Sequence, residues 1–167
     1  MRKRIIGIAV VAALVATISP SQAATVTLTG AQKAQLKYLV EEEKLARDVY
    51  AYLATNVTSQ KFSNIVKSEQ SHMDQVAALL KTYNVWNPTL NRRAGVFYDK
   101  SLQALYTSLT KEGKAGVAEA FGVGVKIEKI DIADLEKDLQ STYPADITAV
   151  MNYLLQASRN HLAAFSR

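Results

Sequence analysis

Residues 62–83 limit what this chain can fold into more than any other stretch. Positions spaced alternately by three and four share one face of an α-helix, and here most of them are apolar, as in a helix facing a core. They are Phe62, Ile65, Glu69, His72, Val76, Leu79 and Tyr83. The central pair, Glu69 and His72, stands one turn apart, so both side chains can reach one metal ion. Such a pair also arises by chance as a surface glutamate beside a half-buried histidine, so other helices must supply further ligands.

The preceding segment predicts a helix over about 31–55, in which Thr29 caps the first turn and Gln32 completes a capping box. One charged residue, Glu43, interrupts its inward face. That face comprises Leu36, Leu39, Glu43, Ala46, Tyr50 and Leu53. A slight rotation of the helix would expose Glu43, but it would also misplace a leucine in each flanking turn. The charged neighbours predicted to face solvent are Glu41, Glu42, Lys44, Arg47 and Asp48.

A short connection over 56–59 predicts that the first two helices form an antiparallel hairpin, which brings Glu43 level with Glu69 and His72. Residues 84–98 then lose helical periodicity, and a short amphipathic helix follows over 101–113. We interpret the two as a long crossover, which lets the next long helix start at the end where the second one began. The aromatic residues predicted to form a lid on the end of the bundle are Trp86, Phe97 and Tyr98.

A third long helix is predicted over 114–139, and two consecutive positions of its inward face are acidic. That face comprises Val117, Phe121, Gly124, Glu128, Asp131 and Leu135. An overlapping apolar face would leave Asp131 at the edge, partly exposed and paired with Lys126 or Lys137. Gly124 costs about 1 kcal/mol in mid-helix compared with alanine, so it is predicted to serve packing or to leave room beside a site.

A fourth long helix is predicted to begin at Pro144, which suits a first helical position. Its inward face comprises Ile147, Met151, Leu154, Ser158, His161 and Phe165. His161 considered alone is an ordinary hydrogen-bonded core histidine. Polar inward residues on all four helices instead favour a shared site.

The N-terminus predicts export. A basic start is followed by an apolar run over 5–18 and a small-residue cleavage site ending at Ala23, the pattern of a signal peptide over residues 1–23. The mature protein, residues 24–167, is then expected to be periplasmic or secreted; an uncleaved anchor is the alternative. Loss of the three basic residues lowers the net charge from +5 to +2, which gives no electrostatic case for nucleic acid.

The chain has no cysteine, so disulfides, thiolate zinc sites and iron–sulfur clusters are excluded and any metal must bind oxygen and nitrogen. Four carboxylates inside one helical core would each cost several kcal/mol unless they are compensated or protonated. Two divalent cations balance four carboxylates, and neutral imidazoles complete such a site. The predicted ligands are Glu43, Glu69, His72, Glu128, Asp131 and His161. Iron or manganese suits these donors, and zinc or copper is an alternative.

Four stretches of the sequence resemble the ferritin-like superfamily, and in particular its exported group known as domain of unknown function 2202. They are YLVEEEKLARDVY, FSNIVKSEQSHM, VGVKIEKIDIADL and SRNHLAAF. Residues 43–50 also resemble the first iron-binding helix of rubrerythrins. The resemblance implies an all-α, antiparallel ferritin-like four-helix bundle with a carboxylate-bridged dinuclear site. It implies terminal ligands at Glu43, His72 and His161 and bridging carboxylates at Glu69 and Glu128.

The sequence departs from the resemblance at Ser158, where the superfamily pattern has a glutamate one turn before the last histidine. Asp131 matches an extra carboxylate of rubrerythrins and is the candidate replacement. The expected function is that of a di-iron oxidoreductase, a ferroxidase or peroxidase, with electrons from ferrous substrate or an external donor. The alternatives are metal sequestration without turnover and a metal-free helical interaction protein. An oligomer that buries the Trp86 region is a further possibility.

Overall fold

The computed structural model describes residues 27–167, within which the chain forms five α-helices and no strand. The predicted signal peptide lies outside the described residues. The helices are α1 (Gly30–Ala54), α2 (Gln60–Thr82), α3 (Lys100–Gly113), α4 (Val117–Asp138) and α5 (Ala145–Phe165). The prediction of an all-α protein with four long helices and a short helix in the crossover is therefore confirmed.

The ends of the helices follow local capping chemistry. The capping box predicted for α1 is present: Gln32 N–H donates to the Thr29 hydroxyl, and Thr29 N–H donates to the Gln32 side chain. The predicted start of α4 at Lys114 is wrong by three residues, because the chain is not yet helical at its N-cap, Gly116. Pro144 is the N-cap of α5 rather than its first helical residue.

Two apolar clusters fix how the long helices lie relative to one another. In the first cluster, the C-terminal half of α1 and the end of α5 meet the beginnings of α2 and α4. In the second, the beginnings of α1 and α5 meet the ends of α2 and α4. Helices α1 and α2 are thus antiparallel, as are α4 and α5, and the crossover returns the chain to the end where α2 began. Most predicted inward positions are buried, but Val117 is 61% exposed, which corrects its assignment to the core.

The prediction that the charged residues beside Glu43 face solvent is wrong for four of the five. Glu41, Glu42, Lys44 and Asp48 are all buried, and only Arg47 is half-exposed. The reason is that α1 packs against α2, α3 and α4, so several of its faces are covered. The periodicity of a single segment does not reveal such a central position.

These buried charges are paired with the crossover. Lys44 forms an ion pair with Asp48 and donates to the Arg93 carbonyl at 3.0 Å, and Asp48 accepts the N–H of Gly95 at 2.8 Å. The carboxylate of Glu41 accepts the backbone N–H groups of Tyr98 and Asp99. Buried charges are tolerated when they are paired and hydrogen-bonded in this way. Glu41 and Asp48 of α1, with Lys44, therefore hold the crossover in place.

The predicted aromatic lid is only partly correct. Phe97 is buried in the first apolar cluster, but Trp86 and Tyr98 remain 54% and 59% exposed. Both border a surface cavity along the first half of α1, beside Tyr38, rather than covering an end of the helices. Among the described helices, none combines the length and apolar character needed to cross a membrane.

Gly124 provides a stability test. An added Cβ at Gly124 would lie 2.7 Å from ring atoms of Phe165, so this glycine serves close packing between α4 and α5. We expect Gly124→Ala to lower the free energy of unfolding by about 1–3 kcal/mol, because a fully packed core must shift. Gly122→Ala is the matched control in the same helix, since its Cβ would meet no atom within 4 Å. It should raise stability by about 0.5–1 kcal/mol through helix propensity. Urea unfolding measures both, and equal effects would contradict the packing role.

Candidate metal centre

The six predicted ligands lie between the two apolar clusters. Each inward helical face is apolar towards both ends and polar at the middle, so α1, α2, α4 and α5 bring their polar residues to one level. The five predicted acidic and histidine residues on α1, α2 and α4 are at most 5% exposed, and only the histidine from α5 is partly accessible. These residues are Glu43, Glu69, His72, Glu128, Asp131 and His161.

One group with the spacing of metal ligands joins α1 and α2. It consists of Glu43, Glu69 and His72, whose candidate ligand atoms all lie within 4.8 Å of one another. The Nδ1 atom of His72 is 2.7 Å from Oε2 of Glu69 and 3.3 Å from Oε2 of Glu43. On the other side of the ring, Nε2 lies 3.2 Å from the Ser68 hydroxyl, which helps to fix the orientation of the imidazole.

A second group joins α2, α4 and α5 through Glu69, Glu128 and His161, again with ligand atoms within 4.8 Å. The Nδ1 atom of His161 is 2.9 Å from Oε1 of Glu69 and 3.6 Å from Oε1 of Glu128. Glu69 therefore belongs to both groups, and each of its oxygens faces a different histidine. The two imidazoles stack, with their centroids 5.6 Å apart and their planes inclined by 24°.

Several of these atoms are buried without a hydrogen-bond partner among the described residues: both carboxylate oxygens of Glu43, Oε1 of Glu69 and Nδ1 of His161. Two of them, Nδ1 of His161 and Oε1 of Glu69, lie 2.9 Å apart without the alignment of a hydrogen bond. An unsatisfied buried polar atom is costly and requires an explanation. A cation bound among these atoms would satisfy them.

Asp131 has a partner of its own. Ser158 donates its hydroxyl to Oδ2 of Asp131 at 3.0 Å, and Asp131 belongs to neither metal-ligand group. The alternative of an exposed aspartate is wrong, because Asp131 is 5% exposed and Lys126 pairs with Glu112 instead. Ser158 stands where the superfamily pattern has a glutamate. It thus contacts Asp131, the carboxylate predicted to replace that glutamate.

Two further residues, which are not among the six predicted ligands, lie around the centre. Tyr50 is fully buried against Phe165, and its hydroxyl donates to Oε1 of Glu128 at 2.6 Å, which orients that carboxylate. Glu42 is 4% exposed; burial raises its pKa well above the usual value, and the negative charge of the nearby Asp131 adds to the effect. The overlooked signal for Glu42 is a second series of inward positions on α1. That series comprises Gln35, Tyr38, Glu42, Leu45 and Val49.

Three of the four predicted carboxylate ligands, all except Glu69, hold protons more tightly than free carboxyl groups do. Burial raises the pKa of Glu43 to about 7, with repulsion from Glu69 adding to the effect and His72 opposing it. Burial and neighbouring carboxylates also raise the pKa of Glu128 and Asp131. For Glu69, burial favours the protonated form, but its contacts with the two histidines outweigh this and lower its pKa.

The two histidines show the complementary effect. Burial disfavours the charged imidazole, yet Glu43 and Glu69 raise the pKa of His72 to about 10. Glu128 and Glu69 likewise raise the pKa of His161 to about 9. The carboxylates of the centre therefore favour nearby positive charge, whether protonated histidines or bound metal cations carry it. Protons and divalent cations compete for the same atoms, because metal ligands must be deprotonated.

The chain belongs to the protein family described as "Uncharacterized protein domain (DUF2202)", whose profile matches residues 32–167. The match confirms the predicted resemblance to domain of unknown function 2202. Among its relatives is the uncharacterized protein MJ0754 of Methanocaldococcus jannaschii. The two sequences are 45% identical over 136 residues, which cover 81% of this chain and 74% of that protein.

A solved structure agrees with the fold. The crystal structure of hypothetical protein MJ0754 from Methanococcus jannaschii DSM 2661 superimposes with a TM-score of 0.81 at 43% identity. The comparison covers 83% of this chain and 79% of that chain. Neither description states an activity, so the chemistry of the centre has to be argued from its residues.

The buried Glu43 carboxylate, which makes no hydrogen bond, generates a prediction for metal-free protein. Its folded pKa is raised above the unfolded value, so ionising it costs folding free energy as pH rises from about 4.5 to 7. The raised pKa values of the histidines act in the same direction, since the unfolded chain loses those protons first, above about pH 6.5. We expect chelator-treated protein to lose stability steadily between pH 5 and 9 in urea unfolding.

Glu43→Gln isolates the contribution of this carboxylate. The variant should be more stable than wild type at pH 8 without metal, by about 1–3 kcal/mol, because a buried charge is removed. It should gain less stability than wild type when divalent metal is added. Glu136→Gln, on an exposed ion pair of α4, is the control and should change neither value by more than about 0.5 kcal/mol. A metal-free Glu43→Gln variant less stable than wild type would contradict this account.

Proposed function

We propose that this chain is a metal-binding protein in which α1, α2, α4 and α5 form a ferritin-like four-helix bundle around two divalent cations. The observation that carries the proposal is the set of buried, unpartnered ligand atoms in two groups that share Glu69. The TM-score of 0.81 to the crystal structure of MJ0754 supports the helical arrangement. Export to the periplasm or the medium remains a prediction from residues 1–23.

The residues present fit a pair of cations. Glu43, Glu69 and His72 would hold one ion, and Glu69, Glu128 and His161 would hold the other, with Glu69 as the bridge. Carboxylate and imidazole donors without thiolates suit iron best, then manganese, with zinc and copper as alternatives. Two cations would also offset carboxylate charges that otherwise compete with the stability of the fold, which is about 5–15 kcal/mol for a typical domain.

As the activity we propose an oxidoreductase in which ferrous iron is oxidised by dioxygen or by peroxide, a ferroxidase or peroxidase. Iron in such a centre would supply one-electron redox chemistry. The protein's own part is to exclude water and hold the ligands: Tyr50 orients Glu128, and Ser68 orients His72. His161 is the most accessible ligand, with 12% of its side chain exposed, so small reactants would reach the centre beside α5. Without cysteine, any electrons beyond those of ferrous substrate come from an external donor.

Metal sequestration without turnover is the second candidate, and one observation favours it. Ser158 occupies the place of a ligand in the superfamily pattern, and the nearest replacement, Asp131, accepts a hydrogen bond from Ser158 and belongs to neither group. Each cation would then have two carboxylates and one histidine, one of the carboxylates being shared. This ligand set falls short of the four carboxylates and two histidines of the di-iron pattern, which favours metal binding without redox turnover.

Removal of the shared carboxylate tests metal binding. We expect Glu69→Ala to lose at least nine-tenths of the bound metal, because both groups lose a ligand. Elemental analysis of protein purified from its native compartment gives the metal-to-protein ratio. Glu136→Ala, an exposed glutamate of α4, is the matched control and should keep the wild-type ratio. Retention of the full complement by Glu69→Ala would refute the ligand assignment, and a melting temperature that a chelator leaves unchanged would favour the metal-free interaction protein.

Turnover distinguishes the two candidate functions. Protein loaded with two equivalents of Fe²⁺ is mixed with dioxygen or hydrogen peroxide, and ferric absorbance is followed by stopped flow. An oxidoreductase should form ferric product at least about tenfold faster than free Fe²⁺ under the same conditions, and Glu69→Ala should remove the acceleration. Stoichiometric metal binding with no acceleration would leave sequestration as the function.

A further inference from the structure

Within the part of the chain that the structure describes, the exposed large hydrophobic residues are concentrated in one segment. Six large hydrophobic side chains are exposed among residues 27–167, and four of them fall between positions 86 and 98. These are Trp86, Leu90, Val96 and Tyr98, with exposures of 54%, 63%, 42% and 59%. Single exposed hydrophobic residues are normal, but a concentration of them marks an interaction site.

Contacts within the segment make it a defined surface. The rings of Trp86 and Tyr98 meet edge to face, with centroids 5.1 Å apart. The guanidinium of Arg92 lies 5.6 Å from the centre of the Tyr98 ring, and its Nε donates to the Pro88 carbonyl at 2.8 Å. The buried Lys44–Asp48 pair holds the backbone beneath through contacts at residues 93 and 95. Trp86 and Tyr98 are therefore exposed on a segment whose backbone and rings are held by specific contacts.

The charges around these residues are mainly positive. Arg93 and Lys100 are exposed, Arg92 is half-exposed, and Lys37 lines the cavity beside Trp86 and Tyr98. Three acids lie close by, and all are engaged. Asp48 is paired with the buried Lys44 and accepts the N–H of Gly95. Asp99 caps the first turn of α3 through Ser101 and Leu102, and the buried Glu41 accepts the N–H groups of Tyr98 and Asp99. We define the aromatic loop surface as Trp86, Leu90, Val96, Tyr98, Arg92, Arg93 and Lys100.

We propose that the aromatic loop surface docks on an anionic phospholipid bilayer, as a peripheral contact that does not span the membrane. Tryptophan and tyrosine favour the interface between headgroups and acyl chains, and nearby lysine and arginine are attracted to anionic lipid. A symmetric dimer through the same surface is disfavoured, since it would bring Arg93 and Lys100 of both copies together. The proposal is independent of the metal centre.

The single tryptophan makes a direct test possible, because Trp86 is the only one in the chain. The full chain is titrated with phosphatidylcholine vesicles, with or without about 30% phosphatidylglycerol, while tryptophan emission is recorded. We expect a blue shift with the anionic vesicles alone. The emission comes from this surface, and the variants described next separate contact by this surface from tethering through residues 1–23.

Two variants and two controls sharpen the test. Arg93→Gln with Lys100→Gln should raise the lipid concentration for half-maximal shift by about fivefold per charge removed. Leu90→Ser with Val96→Ser should also weaken binding by at least about fivefold. The controls are Lys129→Gln with Lys137→Gln, two exposed lysines of α4, and Tyr153→Ser, an exposed tyrosine of α5; both should bind like wild type. Circular dichroism verifies folding.

Other outcomes would overturn the proposal. They are the absence of a shift, an equal shift with neutral vesicles, and variants that match their controls. A soluble polyanion such as polyglutamate that produces the same shift would show an acidic macromolecule to be the partner. A wild-type dimer in analytical ultracentrifugation that Leu90→Ser with Val96→Ser converts to monomer would show that a second copy covers this surface.

Discussion

The concentration of carboxylates in a desolvated helical core is the constraint on which the rest of this structure depends. Glu43, Glu69, Glu128 and Asp131 are all at most 5% exposed, and Glu42 adds a fifth buried acid beside them. Placing that much negative charge out of water opposes folding unless positive charge accompanies it. The carboxylates raise the pKa values of the two histidines for the same reason, because a protonated imidazole supplies positive charge. The fold positions these groups by placing apolar residues above and below them.

Helix α1 links the centre to the rest of the molecule. Its Glu43 faces the candidate metal site, whereas Glu41, Lys44 and Asp48 on other faces hold the crossover by hydrogen bonds and an ion pair. One helix thus carries charges with two different purposes, and both sets are buried. This explains why a charged segment, which composition would assign to a surface, lies at the middle of the fold.

Sequence periodicity was sufficient to predict the helices and most of their inward faces. The apolar face of an amphipathic helix can be identified from its own sequence, without knowledge of the neighbouring helices. Periodicity identified Glu43, Glu69 and His72 as neighbours from the short connection alone. It failed where the environment comes from distant segments. Glu42 and Lys44 are buried by α3, α4 and the crossover, and the outward position of Trp86 follows from contacts that no local pattern encodes.

The shared position of Glu69 has a consequence for any ions the centre holds. Its two oxygens face different histidines, so a ligand drawn towards one ion alters the geometry and charge available to the other. The two binding events are then linked, and the free energy of the pair is not the sum of two separate affinities. A binding curve for this protein would describe one coupled unit, in which binding of the first ion changes the affinity for the second.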